Sequence, residues 1–243
     1  MLRRVLARAG LARSQISVLG ALLRLRQVCC DPYLVKGGHG NTSALRTAVP
    51  GAFGRPGGAQ MPGNMERAKL ELLCELLPAL VDEGRRILVF SQFTEMLGLI
   101  GPVLQKLGLP YLSLTGQTPA AQRGEVVARF QAKQVPILLA SLKAGGLGLN
   151  LTAADTVVHI DPWWNPAAEQ QATARAHRIG QTQPVFVYKI VVEGSIEERM
   201  LELQARKSAL AQGVLGDDTL GTVKFSVAEI EDLVAPLAGG VEY

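Results

Sequence analysis

The sequence predicts an α/β domain: a parallel β-sheet with helices on both faces, preceded by a helical segment. Three observations lead there. Short apolar runs of buried-strand type alternate with longer segments of helical periodicity from residue 65 onward. The connections between them are short, as in sheets built from strand–helix–strand units. Several helix starts carry their own capping chemistry.

Taken in order, residues 1–36 read as helical, with Leu19, Leu22, Leu23 and Val28 near a 3.6-residue period. Asp31-Pro32 stops that helix, because proline disfavours helical geometry in the residue before it. Residues 37–64 hold eight glycines and three prolines in 28 positions, a composition that predicts a flexible linker. Leu70, Leu73, Leu76, Leu77 and Leu80 then mark a helix that Gly84 ends. Strands are expected at 86–90, 111–114, 135–140, 156–160 and 185–191. Helices are expected at 94–107, from Thr118-Pro119 to about 132, from Asn165-Pro166 through Arg178, and from the Ser195–Glu198 capping box onward. The regular lobe spans 65–212, and the tail at 213–243 carries a last short helix at 227–237.

Composition narrows the class. An apolar fraction of 48% supports a sizeable core, and no apolar run reaches the roughly 18 residues that span a bilayer. Arg13, Arg24 and Arg26 interrupt any signal-like apolar stretch near the start, so a cytoplasmic protein with no membrane partner is expected. Cys29, Cys30 and Cys74 form neither a disulfide framework nor, with His39, His159 and His177, a zinc spacing, so no metal site is expected. Residues 1–60 carry nine Lys and Arg against one acid, while the rest carries sixteen against twenty. A basic segment beside a near-neutral body fits a phosphate-rich partner or a solvated helix face equally well.

Parallel sheets place function at the carboxyl ends of their strands, so the loops there decide the chemistry. Ser141 to Asn150 holds Gly145, Gly146 and Gly148 behind Lys143. Such a loop can approach a phosphate or simply turn the chain, and it lacks the GK[ST] of a P-loop. Gln171, Arg175 and Arg178 stand at i, i+4 and i+7 and, on the helix expected there, share one face. Two arginines beside a glutamine suit a polyphosphate, or else a solvated surface. His159-Ile-Asp-Pro-Trp-Trp-Asn165 ends in adjacent tryptophans that cannot both pack to one side of an extended chain, which leaves one for an interface.

ILVFSQF, LTGQTPAAQR, ASLKAGGLGLNLTAADTVVHIDPWWNP and QATARAHRIGQTQPVFVYKIVVEGSIEERM occur in this order. Together they resemble the successive motifs of the second, RecA-like helicase lobe of SWI/SNF-family ATPases of helicase superfamily two. The resemblance covers about residues 65–212. RSQISVLGALLRLRQVCCDPYLV also resembles the helical insertion before that lobe in bacterial members.

The resemblance implies roles. Arg175 and Arg178 match the arginines that reach the ATP phosphates, and Gln171 the glutamine of the same motif. Gly145, Gly146, Gly148 and Asn150 match the loop coupling nucleotide to DNA. Gln92, Gly116, Arg123, Ser141 and Lys143 match positions that track the DNA backbone, with Trp164 near that interface. It implies ATP with magnesium, held mainly by a first lobe in cis or trans, double-stranded DNA as partner, and a nucleoid-associated location. Two positions depart from the pattern: Ala174 and Thr115 stand where the family has aspartates. The 243 residues contain no GxxxxGK[ST] and no DExH-type box, so the chain is expected to be half of a two-lobe motor and inactive alone. A non-enzymatic DNA- or protein-binding module left by truncation is the alternative.

Overall fold

The computed structural model describes residues 11–35, 67–145, 149–178, 181, 183–214 and 233. The expected linker and, apart from Leu233, the expected last helix lie outside these. Helix α1 (Leu11–Cys30) stops at Asp31, whose carboxylate accepts the Tyr33 N–H at 2.9 Å and caps a 3-10 turn over Pro32–Leu34. The lobe then runs α2 (Ala68–Asp82), β1 (Ile87–Ser91), α3 (Thr94–Lys106), β2 (Tyr111–Leu114), α4 (Ala120–Gln131), β3 (Ile137–Ser141), the short α5 (Leu142–Gly145), β4 (Thr156–His159), α6 (Pro166–Thr173), β5 (Phe186–Lys189) and α7 (Ile196–Val214).

All five strands are parallel, in the order β2-β3-β1-β4-β5. This is the expected α/β sheet with helices on both faces. The central strands β1, β3 and β4 are buried at every position, which is why they read as unbroken apolar runs. Their side chains alternate between two cores. Ile87 and Val89 join Leu73, Leu77, Met96 and Ile100 beneath α2 and α3. Leu88 and Phe90 join Leu114, Phe130, Leu138 and Ala172 on the opposite face. Each fully buried Val, Leu, Ile, Phe or Met among them contributes about 1.5–3 kcal/mol. Gly84, at φ +79, sits just past the α2 C-cap in the left-handed region, as its place in the sequence requires.

Strand ends differ from expectation by one or two residues, and two helix boundaries differ for a reason that the hydrogen bonds give. α4 begins at Ala120 rather than at the Thr118-Pro119 step, because the Thr118 hydroxyl turns back and accepts the Thr115 N–H at 3.0 Å. α6 ends at Thr173 rather than continuing through Arg178. The Arg175 carbonyl there accepts the N–H of Leu151 at 3.1 Å, which draws the chain out of the helix. The Asn165 cap forms as expected, its side chain accepting from Ala167 at 3.0 Å, whereas at the start of α7 the capping box is shifted by one residue, with Ser195 accepting from Glu197 at 3.1 Å and Glu198 from Gly194 at 2.8 Å.

Helix α1 is fastened to the lobe by a third core, in which Leu22 meets Ile196, Met200 and Leu233, with Trp164 and Leu203 packed against it. Deeper fastening is ionic. Arg26 reaches the carboxyl ends of β1 and β4; within the lobe itself, Lys69 of α2 is buried against Glu197 of α7 at 2.6 Å.

Candidate functional site

From β1 the chain passes to β2 on one side of the sheet, and from β4 to β5 on the other. The topological switch point therefore lies at the carboxyl ends of β1 and β4, where doubly wound sheets open a crevice. Register aligns Ser91 with Ser141 and Phe90 with His159, so the loops after β1, β3 and β4 leave from one edge.

Asp161 organises this edge. Fully buried, it accepts from the Ser91 hydroxyl at 2.5 Å and from the Gln92 backbone N–H at 3.2 and 3.3 Å, and pairs with Arg26 at 3.7 Å. Arg26, itself fully buried, donates to the Gln92 side-chain oxygen at 3.0 Å and to the Pro162 carbonyl. Its guanidinium lies over the Trp164 ring at 5.0 Å. Arg26 and Asp161 are the residues sequence reasoning did not single out. The only signal was an arginine in an amphipathic helical stretch, 136 positions from the carbonyl it binds.

The candidate nucleic-acid positions are arranged along this edge. The Ser141 hydroxyl accepts the Ala144 N–H at 3.2 Å, capping α5. Lys143 lies in α5, and Gly146 and Gly148 lie outside the described residues. Asn150 is exposed. Gly116 is exposed beyond β2, and Arg123 folds over that turn, donating to the carbonyls of Thr118 at 2.9 Å and Gly116 at 3.3 Å. The tryptophans divide as adjacent residues on extended chain must. Trp163 packs on the core that contains Phe130, and half-buried Trp164 packs between Arg26 and the α1–α7 core.

Gln171 is exposed on α6, but Arg175 and Arg178 do not share its helical face, because both follow the end of the helix. Arg175 lies in the turn beyond α6, only 3% exposed, and its Nε and Nη1 are buried with no hydrogen-bond partner. Arg178 is exposed. Burial first, and then the charge of Arg178, lower the Arg175 pKa. Among the described residues no carboxylate pairs with either arginine. A buried cation without a counter-charge is costly, so this turn is suited to receive an anion. Gln181 fixes the turn from behind, donating to the carbonyls of Ala154 at 2.6 Å and Thr152 at 3.0 Å.

His159 at the end of β4 stacks on Phe90 with ring centroids 5.6 Å apart, and its Nε2 meets the Thr173 hydroxyl at 3.0 Å. Burial, assisted by the Lys189 charge, lowers its pKa to about 4. The unfolded chain takes up this proton near 6.5 and the folded chain only near 4. His159 therefore contributes stability above pH 6.5 that is lost as the pH falls through this window. Burial moves Asp161 the other way, to about 6, so its contribution is present at low pH and lost as the pH rises through 6. The two partly cancel. Replacing His159 with Phe keeps the stacking and removes one of them. The unaltered chain is then expected to lose about 3 kcal/mol more stability than His159→Phe between pH 7 and pH 4. Urea unfolding midpoints across this range measure the difference, and parallel pH profiles would contradict it.

Comparison with known proteins agrees with this architecture. The model of the helicase conserved C-terminal domain matches residues 68–180. The Sulfolobus solfataricus SWI2/SNF2 ATPase C-terminal domain superposes with a TM-score of 0.65 at 27% identity, covering 96% of this chain and 87% of that one. The chain belongs to the SWI2/SNF2 family. It is a helicase C-terminal lobe of that family, and it is equally similar to the S. solfataricus SWI2/SNF2 ATPase core solved in complex with dsDNA, with a TM-score of 0.67 and 28% identity over 96% of this chain and 44% of that one. Among curated relatives, the CHD3-type chromatin-remodeling factor PICKLE of Arabidopsis thaliana is 35% identical over 91% of this chain. The putative ATP-dependent helicase/translocase YwqA of Bacillus subtilis is 42% identical over 68% of it. This SWI2/SNF2 lobe spans only 15% and 18% of the lengths of those two proteins.

Proposed function

We propose that this chain acts as the second helicase lobe of an ATP-dependent translocase on duplex DNA. In this reading Arg175 and Arg178 face the ATP phosphates across an interlobe cleft, with Gln171 beside them. Gln92, Gly116, Arg123, Ser141 and Lys143 meet the DNA backbone. The observation that carries the reading is the buried Arg175 guanidinium with Nε and Nη1 unpartnered, beside a second arginine and without a carboxylate among the described residues. A polyphosphate supplies the missing charge. The γ-phosphoryl group gathers negative charge as it transfers, and guanidinium forks placed in advance stabilise it there. Backbone contacts suit a motor that must move along any sequence.

Magnesium, in the same reading, is held mainly by the first lobe. No described helix is long and apolar enough to cross a membrane, and a cytoplasmic, nucleoid-associated location belongs to the same proposal. These 243 residues contain no phosphate-cradling GxxxxGK[ST] and no DExH box, so the chain alone is expected to show no ATPase activity above background. A DNA-stimulated ATPase assay with and without a matching first lobe tests this. Turnover should appear only in the mixture. Measurable DNA-stimulated turnover by the pure chain would contradict the half-site, and none in the mixture would favour a non-enzymatic binding module.

A further inference from the structure

We infer that Arg26, on the helix preceding the lobe, is a positioning residue for nucleic-acid binding: it fixes the side-chain amide of Gln92 so that its N–H groups are kept unpaired for a phosphate oxygen. The inference rests on the assignment of Gln92 to the DNA backbone and adds a residue from outside the lobe.

An amide side chain can present either its oxygen or its nitrogen to a neighbour. A guanidinium only donates, so the 3.0 Å contact from Arg26 Nη1 settles which end of Gln92 faces it. The oxygen is taken and the nitrogen is left. That Nε2 is buried and has no hydrogen-bond partner. The backbone of Gln92 is clamped as well, its N–H held by both Asp161 carboxylate oxygens at 3.2 and 3.3 Å. Gln92 is thus fixed at main chain and side chain while its only remaining donors go unused.

Arg26 is in turn held by the Pro162 carbonyl, by Asp161 at 3.7 Å, and by the rings of Trp164 at 5.0 Å and Phe93 at 5.9 Å. A fully buried arginine with an aromatic on two sides has little rotamer freedom, so its hold on Gln92 is rigid. A donor oriented before the ligand arrives avoids an ordering cost on binding. An orphaned donor pair is suited to an acceptor-only partner, and a phosphodiester oxygen is one.

The experiment measures duplex binding by the 243-residue chain at low salt as a double-mutant cycle. Arg26→Met and Gln92→Ala are each expected to weaken binding about tenfold, the size of one hydrogen bond to a charged acceptor. The double variant should bind no more weakly than either single variant. The salt dependence should keep its slope throughout, because Gln92 carries no charge. Weakening by Gln92→Ala with normal affinity in Arg26→Met, or additive losses near a hundredfold, would overturn the positioning role while leaving the DNA assignment standing. Unchanged binding by Gln92→Ala, or no duplex binding by the unaltered chain, would remove the DNA assignment and the inference with it. Should Arg26→Met fail to fold, the unaltered chain still decides. Its Gln92 side-chain amide should give one ordered pair of NMR resonances that shifts on adding duplex, and an averaged or unshifted pair would overturn the inference.

Discussion

Replacing Arg175 with Met in a reconstituted two-lobe enzyme is expected to lower kcat by about 10³-fold or more while making the lobe slightly more stable. The two effects have one cause. The buried guanidinium has Nε and Nη1 without partners, and burial together with Arg178 disfavours its charge. The isolated lobe therefore carries a desolvation penalty that only an arriving anion offsets. Methionine keeps most of the packing and removes the penalty, so a gain of about 1 kcal/mol in unfolding free energy is expected. Arg178→Ala should give a comparable loss of kcat with almost no change in stability, because Arg178 is exposed and unpaired by any described carboxylate. Steady-state kinetics beside thermal melting separates the outcomes. Near-normal turnover in well-folded Arg175→Met would defeat the assignment of this turn to the ATP phosphates. A large loss of stability would mean that Arg175 is a structural group instead.

The legible part of the fold was the part governed by period and by local chemistry. Ile87–Ser91, Ile137–Ser141 and Thr156–His159 could be read because central strands of a parallel sheet are apolar on both faces. Asn165 and Ser195 could be read because their partners lie within three residues. The misjudged boundaries were those where a longer-range bond overrode local preference. Nothing near Thr173 says that the Arg175 carbonyl is taken by Leu151 from another loop. Hence three polar residues expected on one helical face are divided between a helix and the turn after it.

The buried cations were illegible for a related reason. Arg26 and Lys69 look like the solvated residues of amphipathic helices, which is what such residues usually are. Their burial is decided by acceptors 91 to 136 positions away, on carbonyls exposed where β4 and β5 end. A parallel sheet leaves carbonyls at its carboxyl edge without ladder partners, and the lobe satisfies several of them with side chains from α1 and α2. The edge that carries the candidate site is therefore also the edge where the helical segment is bolted on.

The largest stability effect is expected at the second of these bolts. Lys69 is 3% exposed and Glu197 not at all, and the ammonium donates to the Ile160 carbonyl at 2.6 Å, the Ile190 carbonyl at 3.2 Å and the Glu197 carboxylate at 2.8 Å. Glu197 also accepts the Val192 N–H at 3.2 Å, tying the β5–α7 connection to α2. Glu197→Ala leaves Lys69 charged, buried and facing two carbonyls alone, and should cost about 3–5 kcal/mol. Lys69→Met should cost less, because Glu197 keeps its backbone donor. The double variant Lys69→Met/Glu197→Gln should recover part of the loss, since it removes both charges while the glutamine oxygen still accepts from Val192. Chemical unfolding of the three variants measures the coupling. If Glu197→Ala lost less than about 1 kcal/mol, as an exposed pair does, the ammonium would have to reach solvent. The sealing of the sheet edge by α2 and α7 would then be refuted.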